Sequence, residues 1–286
     1  MPCGTLAGME IRGRDELVDG VPVRWYDPGV GDEVGGPGPT LLWLHGGGFF
    51  RGGLDQPEAH DVAIALARRG VTVATVDYRL APPPGMPWVR TAAGRPRGRY
   101  PAALDDVLAA LHAVGERSPG GVVVGGASAG ACIAAGAVLR ASDEGRPPVG
   151  SVLAYGFFHA LHPRARDASQ RSPGRRRLTH APRGMDAANR NYVGSRSSLG
   201  ERHAFPGGHD LRGFPPTLVV NAERDNMRAS GDLFAAELAA AGTAVEHHVL
   251  PGTRHAFLDR PSLDEFAETI GLTATWLRSG RPGRQS

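Results

Sequence analysis

An open α/β sheet, mostly parallel and covered by helices on both faces, is the fold class this sequence predicts, and three observations carry it. Short runs rich in β-branched residues alternate with longer Ala-rich or amphipathic runs along most of the 286 residues, which is how βαβ units read in sequence. Several of the short runs, among them Thr40–Leu44, Val71–Val76 and Gly121–Val124, are almost continuously apolar, as strands covered on both faces must be. At Gly126-Ala127-Ser128-Ala129-Gly130 one such run turns directly into an apolar helix-forming stretch. Small residues there let strand and helix approach closely while the serine takes a strained turn at the tip.

Composition bounds the rest. A chain of this length with 41% hydrophobic residues can bury one sizeable core, and residues 1–286 are read as one domain. The net charge is +3 and all 32 basic residues are Arg, a bias that GC-rich codon usage explains. No basic helix or aromatic-interleaved basic face accompanies the charge, so no nucleic-acid partner is expected. Cys3 and Cys132 build neither a disulfide framework nor a metal cluster, and neither a metal nor any other cofactor is expected. Arg12, Asp15 and Glu16 stand where a signal peptide needs its apolar core, and no run approaches the ~18 apolar residues of a membrane span. The expectation is a reduced cytoplasmic protein without a membrane partner, as a monomer or a homodimer.

The elements follow in order. Val21–Tyr26 alternates as a half-exposed strand, and Asp27–Pro39, with five Gly and three Pro, is a loop. Thr40–Leu44 is a strand ending at His45-Gly46-Gly47-Gly48-Phe49-Phe50; consecutive glycines after a strand can turn backbone N–H groups toward one point, as stabilising an oxyanion demands. Ala59–Arg69 reads as a helix stopped by Gly70, and Val71–Val76 as the next strand. Pro101 opens a helix with Leu104, Val107, Leu108 and Leu111 on one face, where Asp105 and Asp106 favour the helix dipole. Ala129–Arg140 is a buried helix and Ser151–Phe158 a strand. From His159 to Arg212 the periodicity collapses, and His162–Gly184 holds seven arginines among Pro, Gly and Ser. Residues 159–212 are therefore read as a cap insertion with a poorly ordered basic tip and one short helix at Ala187–Val193. Pro215–Asn221 is a strand, Ala229–Ala241 a helix ended by Gly242, and Ala244–Leu250 the last strand. A closing helix starts at Ser262 with Glu265 completing a capping box.

Ser128, Asp225 and His255 each fall just past the carboxyl end of an expected strand, where an open parallel sheet collects its site residues. A serine nucleophile, a histidine base and an acid that orients it make an acyl-transfer relay. Glu223 competes with Asp225 for the role of acid, but only Asp225 lies far enough past its strand.

At these positions the sequence resembles the hormone-sensitive lipase family of α/β-hydrolase esterases over about residues 40–260. The resemblance rests on His45-Gly46-Gly47-Gly48-Phe49, Asp77-Tyr78-Arg79-Leu80-Ala81-Pro82, Pro101–Asp106, Gly126–Gly130, Pro215–Val220, Asp225 and His255. It implies an α/β-hydrolase fold and a metal-free serine carboxylesterase working through an acyl-enzyme. It further implies that Gly47, Gly48 and Ala129 supply the oxyanion N–H groups while Gly46 positions the loop. The chain departs from the family at Ala127 (usually Asp), Pro83 (Glu), Ala131 (Gly) and Asn226-Met227 (Pro-Leu). A non-hydrolytic ligand-binding member of the fold and a biosynthetic acyltransferase or lyase stay open as alternatives. The basic stretch offers little apolar surface beyond Leu178, so Phe49, Phe50, Phe157, Phe158, Tyr192 and Leu258 are expected to wall the substrate pocket. Such a small set favours short to medium acyl chains, with the basic stretch outside the site.

Overall fold

The computed structural model describes residues 11–28, 38–86, 88–91, 94–165, 167, 171–174, 177 and 180–279. Among them eight strands form one sheet: β1 (Arg14–Val18), β2 (Val21–Tyr26), β3 (Thr40–Leu44), β4 (Val73–Val76), β5 (Val122–Ala127), β6 (Gly150–Ala154), β7 (Thr217–Arg224) and β8 (Val245–Arg254). Their order is β1-β2-β4-β3-β5-β6-β7-β8. The β1/β2 and β2/β4 pairs are antiparallel, and every pair from β4 across to β8 is parallel. This is the α/β-hydrolase fold, and the parallel half sends the chain out of β3, β5, β7 and β8 along one edge of the sheet.

Among the described residues there are six α-helices: α1 (Pro57–Ala67), α2 (Ala102–Glu116), α3 (Ala129–Asp143), α4 (Pro182–Val193), α5 (Arg228–Ala240) and α6 (Asp264–Arg278), of which all but α4 pack on the two faces of the sheet. Period-2 alternation in the strands divides the core accordingly. Leu42, Leu44, Val122 and Val124 face a layer built by α2, α3 and α5, with Val107, Val138 and Phe234. Leu41, Trp43 and Val123 face a second layer against α1 and α6, with Leu66, Ile270 and Trp276.

Several boundaries differ from the sequence expectation. The strand β1 was not foreseen, because Arg-Asp-Glu-Leu-Val is polar and mostly exposed. Cross-strand and strand-to-helix charges hold it: Arg24 of β2 binds Asp15 at 2.5 Å, and Arg117 at the end of α2 binds Glu16 at 2.7 Å. The strand β6 stops at Ala154 rather than Phe158, and α4 begins at Pro182 rather than Ala187, its proline at the first turn where a missing N–H costs nothing. The closing helix α6 has Leu263 as its N-cap and no side-chain cap bond, so the expected capping box is not formed; Asp264 and Glu265 in its first turn complement the dipole instead. Most of the Asp27–Pro39 loop, with Cys3 and Leu178, lies outside the described residues.

Candidate active site

The turn between β5 and α3 sets the geometry. Ser128 has φ 54° and ψ −118°, a conformation costly for any residue with a Cβ and one that the surrounding packing must impose. Gly130 and Gly126 make the turn possible. A Cβ on Gly130 would lie 2.4 Å from the carbonyl oxygens of Leu44 and His45, and one on Gly126 would lie 2.6 Å from the Gly130 carbonyl carbon. No larger residue fits at either place.

Three side chains that the sequence singled out meet there. Ser128 Oγ lies 2.9 Å from His255 Nε2, and His255 Nδ1 lies 2.5 Å from Asp225 Oδ2. Ser128 and His255 are each 5% exposed and Asp225 is fully buried. Burial pushes the Asp225 carboxyl up, but the charge and hydrogen bond of His255, the Met227 N–H and nearby His180 outweigh it and hold it below the ordinary range. An ionised carboxylate only accepts, so the imidazole proton sits on Nδ1 and Nε2 is left to accept from Ser128. Glu223, the rival acid, is turned away: its Oε2 accepts from Gly252 N at 2.7 Å.

The glycine loop after β3 lies against this serine. A Cβ on Gly46 would be 3.1 Å from Ser128 Cβ. Gly47 and Gly48 take φ values of 123° and 63°, and a Cβ on Gly47 would meet Arg51 O at 2.0 Å, so the turn requires glycine. The Ala129 N–H opens α3 and has no acceptor within its own helix. The Asp77–Pro82 segment braces the loop from behind. Tyr78 donates to His45 O at 2.6 Å and stacks on the His45 ring at 4.5 Å, while Ala81 N donates to Phe49 O at 2.8 Å. Burial keeps His45 low and hence neutral. Asp106 does not serve the α2 dipole as expected: it is buried and takes the Arg79 backbone N–H at 2.7 Å and the Arg79 guanidinium at 2.7 Å.

Two expectations about the pocket change. Phe49, Phe157, Phe158, Tyr192 and Leu258 are each 2% exposed or less, so they form core before they form wall. The left-handed φ of 72° at Phe49 sends its ring onto Tyr192, stacked at 4.0 Å, and leaves Phe50, half-buried under the Arg51 guanidinium, nearer the surface. The basic stretch, in turn, reaches the acid. Ser172 Oγ stands 3.4 Å from Asp225 Oδ1, and the His180 ring packs edge-on to His255 at 4.8 Å. Asn226 ties this stretch down: its N–H donates to Ser172 Oγ, its side-chain oxygen accepts from Ser172 N, and its amide donates to His180 O. Among the described residues one trio, His180, Asp225 and His255, has the ligand types to hold a metal, with donor atoms within 4.8 Å of one another. Two of the three are already bonded to each other. Sequence reasoning did not single out Ser172 or His180, which reach Asp225 and His255 through tertiary contact and carry no periodic signal; Asn226 was marked only as a departure.

A family model described as the alpha/beta hydrolase fold matches residues 41–259. Carboxylesterase NlhH of Mycobacterium tuberculosis is 33% identical over 262 residues, covering 86% of this chain and 74% of that protein. An acetyl esterase of Salmonella paratyphi B is 30% identical over 248 residues, 83% of this chain and 69% of that one. Among solved structures, the hyperthermophilic esterase of the archaeon Pyrobaculum calidifontis superposes with a TM-score of 0.77 at 28% identity, over 94% of this chain and 85% of that chain. No helix among the described residues is long and apolar enough to cross a membrane.

Proposed function

We propose, from the premise that this chain belongs to the α/β-hydrolase family and is a hydrolase of carboxylic esters, that Ser128, His255 and Asp225 are its catalytic triad. The observation that carries the proposal is the unbroken relay of 2.9 Å and 2.5 Å from Ser128 through His255 to Asp225. Ser128 Oγ attacks the acyl carbonyl as its proton passes to His255 Nε2, and the ionised Asp225 stabilises the imidazolium that forms. The N–H groups of Gly47, Gly48 and Ala129 receive the developing oxyanion, with Gly46 holding the loop. His255 then hands its proton to the leaving alcohol. Water, deprotonated by the same imidazole, hydrolyses the acyl-enzyme. No step calls for a cofactor.

The substrate class is a small-molecule ester with a short acyl chain. Most of the aromatic side chains near the site are buried in the core, which supports Phe50 as the substrate contact and Phe49 as its backing. Each added CH₂ strengthens binding by about 0.8 kcal/mol only while apolar wall remains to be covered. The similarity to an acetyl esterase points the same way. Residues 159–212 act as a cap on a single domain: Tyr192 from α4 stacks on Phe49, and Asn191 bonds Pro82 O at 2.8 Å. A cytoplasmic location is in keeping with two cysteines of which Cys132 is buried as a free thiol. A panel of p-nitrophenyl esters tests the reading: kcat/KM should peak at roughly two to six acyl carbons, and a peak beyond about ten carbons would overturn the pocket assignment.

A further inference from the structure

Glu58 sits in the first turn of α1, only 2% exposed, and the reaction scheme above gives it no task. Burying a carboxylate is costly unless donors replace the lost water, and burial indeed pushes this carboxyl up. Three donors converge on it. Tyr155 OH donates to Oε1 at 2.5 Å, and Gly46 N–H and the Gln56 amide donate to Oε2 at 2.6 and 3.1 Å. Donors on both oxygens favour the ionised form and offset part of that cost, although burial still holds the carboxyl above its ordinary value.

Those donors tie Glu58 to both halves of the site. Gly46 is the first glycine of the oxyanion loop, and a Cβ on it would stand 2.4 Å from Glu58 Oε2 and 3.1 Å from Ser128 Cβ. Carboxylate, loop and nucleophile are thus in direct succession. Tyr155, fully buried just after β6, sets its ring edge-on to His255 at 5.1 Å and 71°. The groups around His255 include Ser128, Asp225, His180 and Tyr155, with Glu58 behind Tyr155; Asp259, past the end of β8, acts on Glu58 and Tyr155.

We propose that Glu58 is a positioning residue with two effects: it fixes the oxyanion loop through the Gly46 N–H, and its buried charge behind Tyr155 favours the imidazolium form of His255 during acyl transfer. The proposal rests on the triad assignment given above. Two substitutions separate the effects. Glu58→Gln keeps length and the Gly46 acceptor but removes the charge, with the amide NH₂ free to donate to a rotated Tyr155 hydroxyl. Glu58→Asp keeps the charge but withdraws it from Gly46 by one methylene.

The test measures kcat, KM and the pH profile of kcat/KM for p-nitrophenyl butyrate, with circular dichroism and Tm as checks of folding. Both variants should lose between about tenfold and a hundredfold in kcat with KM within about threefold, because the lost interaction serves the transition state. Removing an anion makes the imidazolium less stable, so the acid limb should move to lower pH in Glu58→Gln and stay in place in Glu58→Asp. Should either variant fail to fold, Tyr155→Phe removes one donor while keeping the ring on His255, and about tenfold lower kcat is expected there. A folded Glu58→Gln with kcat within twofold of wild type, or with its acid limb unmoved, overturns the proposal, as does a fully active Tyr155→Phe. Fluorophosphonate labelling keeps the two readings apart: failure to label Ser128 in the wild type defeats the triad, whereas normal labelling beside an unaffected Glu58→Gln defeats only the role of Glu58.

Discussion

Replacing Asp225 by Asn should leave the fold intact and reduce turnover by a factor between about 10² and 10⁴, and the hydrogen bonds around the residue set both ends of that range. Oδ2 accepts the His255 Nδ1 proton at 2.5 Å, while Oδ1 accepts from Met227 N at 3.1 Å and faces Ser172 Oγ at 3.4 Å. An amide has one oxygen for these two sides. If the oxygen stays with the fixed Met227 N–H, the NH₂ faces His255 Nδ1, the ring proton moves to Nε2, and the imidazole then donates to Ser128 instead of accepting from it. A wrong tautomer of this kind costs on the order of 10⁴ in a serine protease triad, about 5.5 kcal/mol. Flipping the amide restores the tautomer but opposes two N–H groups at about 1–3 kcal/mol, and it still lacks the charge that steadies the imidazolium. The smaller loss, near 10², is that case. Steady-state hydrolysis of p-nitrophenyl butyrate at pH 8 measures the effect, with Glu223→Gln as control because Glu223 bonds Gly252 rather than His255. A folded Asp225→Asn that loses less than tenfold, or a Glu223→Gln that loses as much, refutes the assignment of the acid.

Ser128→Ala should lower kcat by about 10⁶ if the triad works as a unit, and mass spectrometry of fluorophosphonate-treated protein should find Ser128 alone labelled among the 13 serines; a label elsewhere would redirect the search for the nucleophile. The Glu58 carboxyl is raised above its ordinary value of 4.5 by burial, so above that pH the unfolded chain holds fewer protons than the folded one and stability falls as pH rises toward the folded value. Denaturant titrations from pH 4.5 to 7.5 should therefore show a more favourable stability trend in Glu58→Gln than in wild type, and parallel curves would contradict the assignment of a strained buried acid. Asn226→Ala removes both side-chain bonds from Asn226 to the Ser172–His180 stretch; limited proteolysis between Arg164 and Arg183 should accelerate and kcat fall about tenfold, while unchanged cleavage would show that other contacts hold the stretch.

The fold was legible because its signals are local and repeated. Apolar runs such as Leu41–Leu44 and Val122–Val124 cannot be solvated on either face, and the helices between them show the 3.6-residue period, so a parallel sheet follows from patterning alone. The failures occur where tertiary partners override local sequence. Polar β1 is a strand because β2 lies beside it with Arg24 placed to meet Asp15. Asp106 reads as a helix-dipole residue until Arg79, 27 positions away in sequence, is found beside it. Ser128, Asp225 and His255 could be picked out as candidates for a related reason: each directly follows a parallel strand, so the topology delivers all three to one edge.

The stretch before α4 could not be read this way, and the cause lies in how it is held. Its described residues bury few apolar side chains, so no hydrophobic period exists to detect; Ser172 and His180 are instead held by polar bonds, three of them to Asn226. The family that the sequence resembles has proline at that position. Proline has no N–H to give Ser172 Oγ and no amide to bind Ser172 N or His180 O, so none of the three bonds could form with it. The departure at Asn226 and the unusual basic stretch are therefore one structural feature. Asparagine next to Asp225 bonds Ser172 and His180 in an otherwise unpatterned segment, and His180 packs edge-on against His255. Two residues of the segment that looked most dispensable in sequence thus stand against the fully buried Asp225, with Ser172 Oγ at 3.4 Å and His180 Nδ1 at 4.0 Å from its Oδ1.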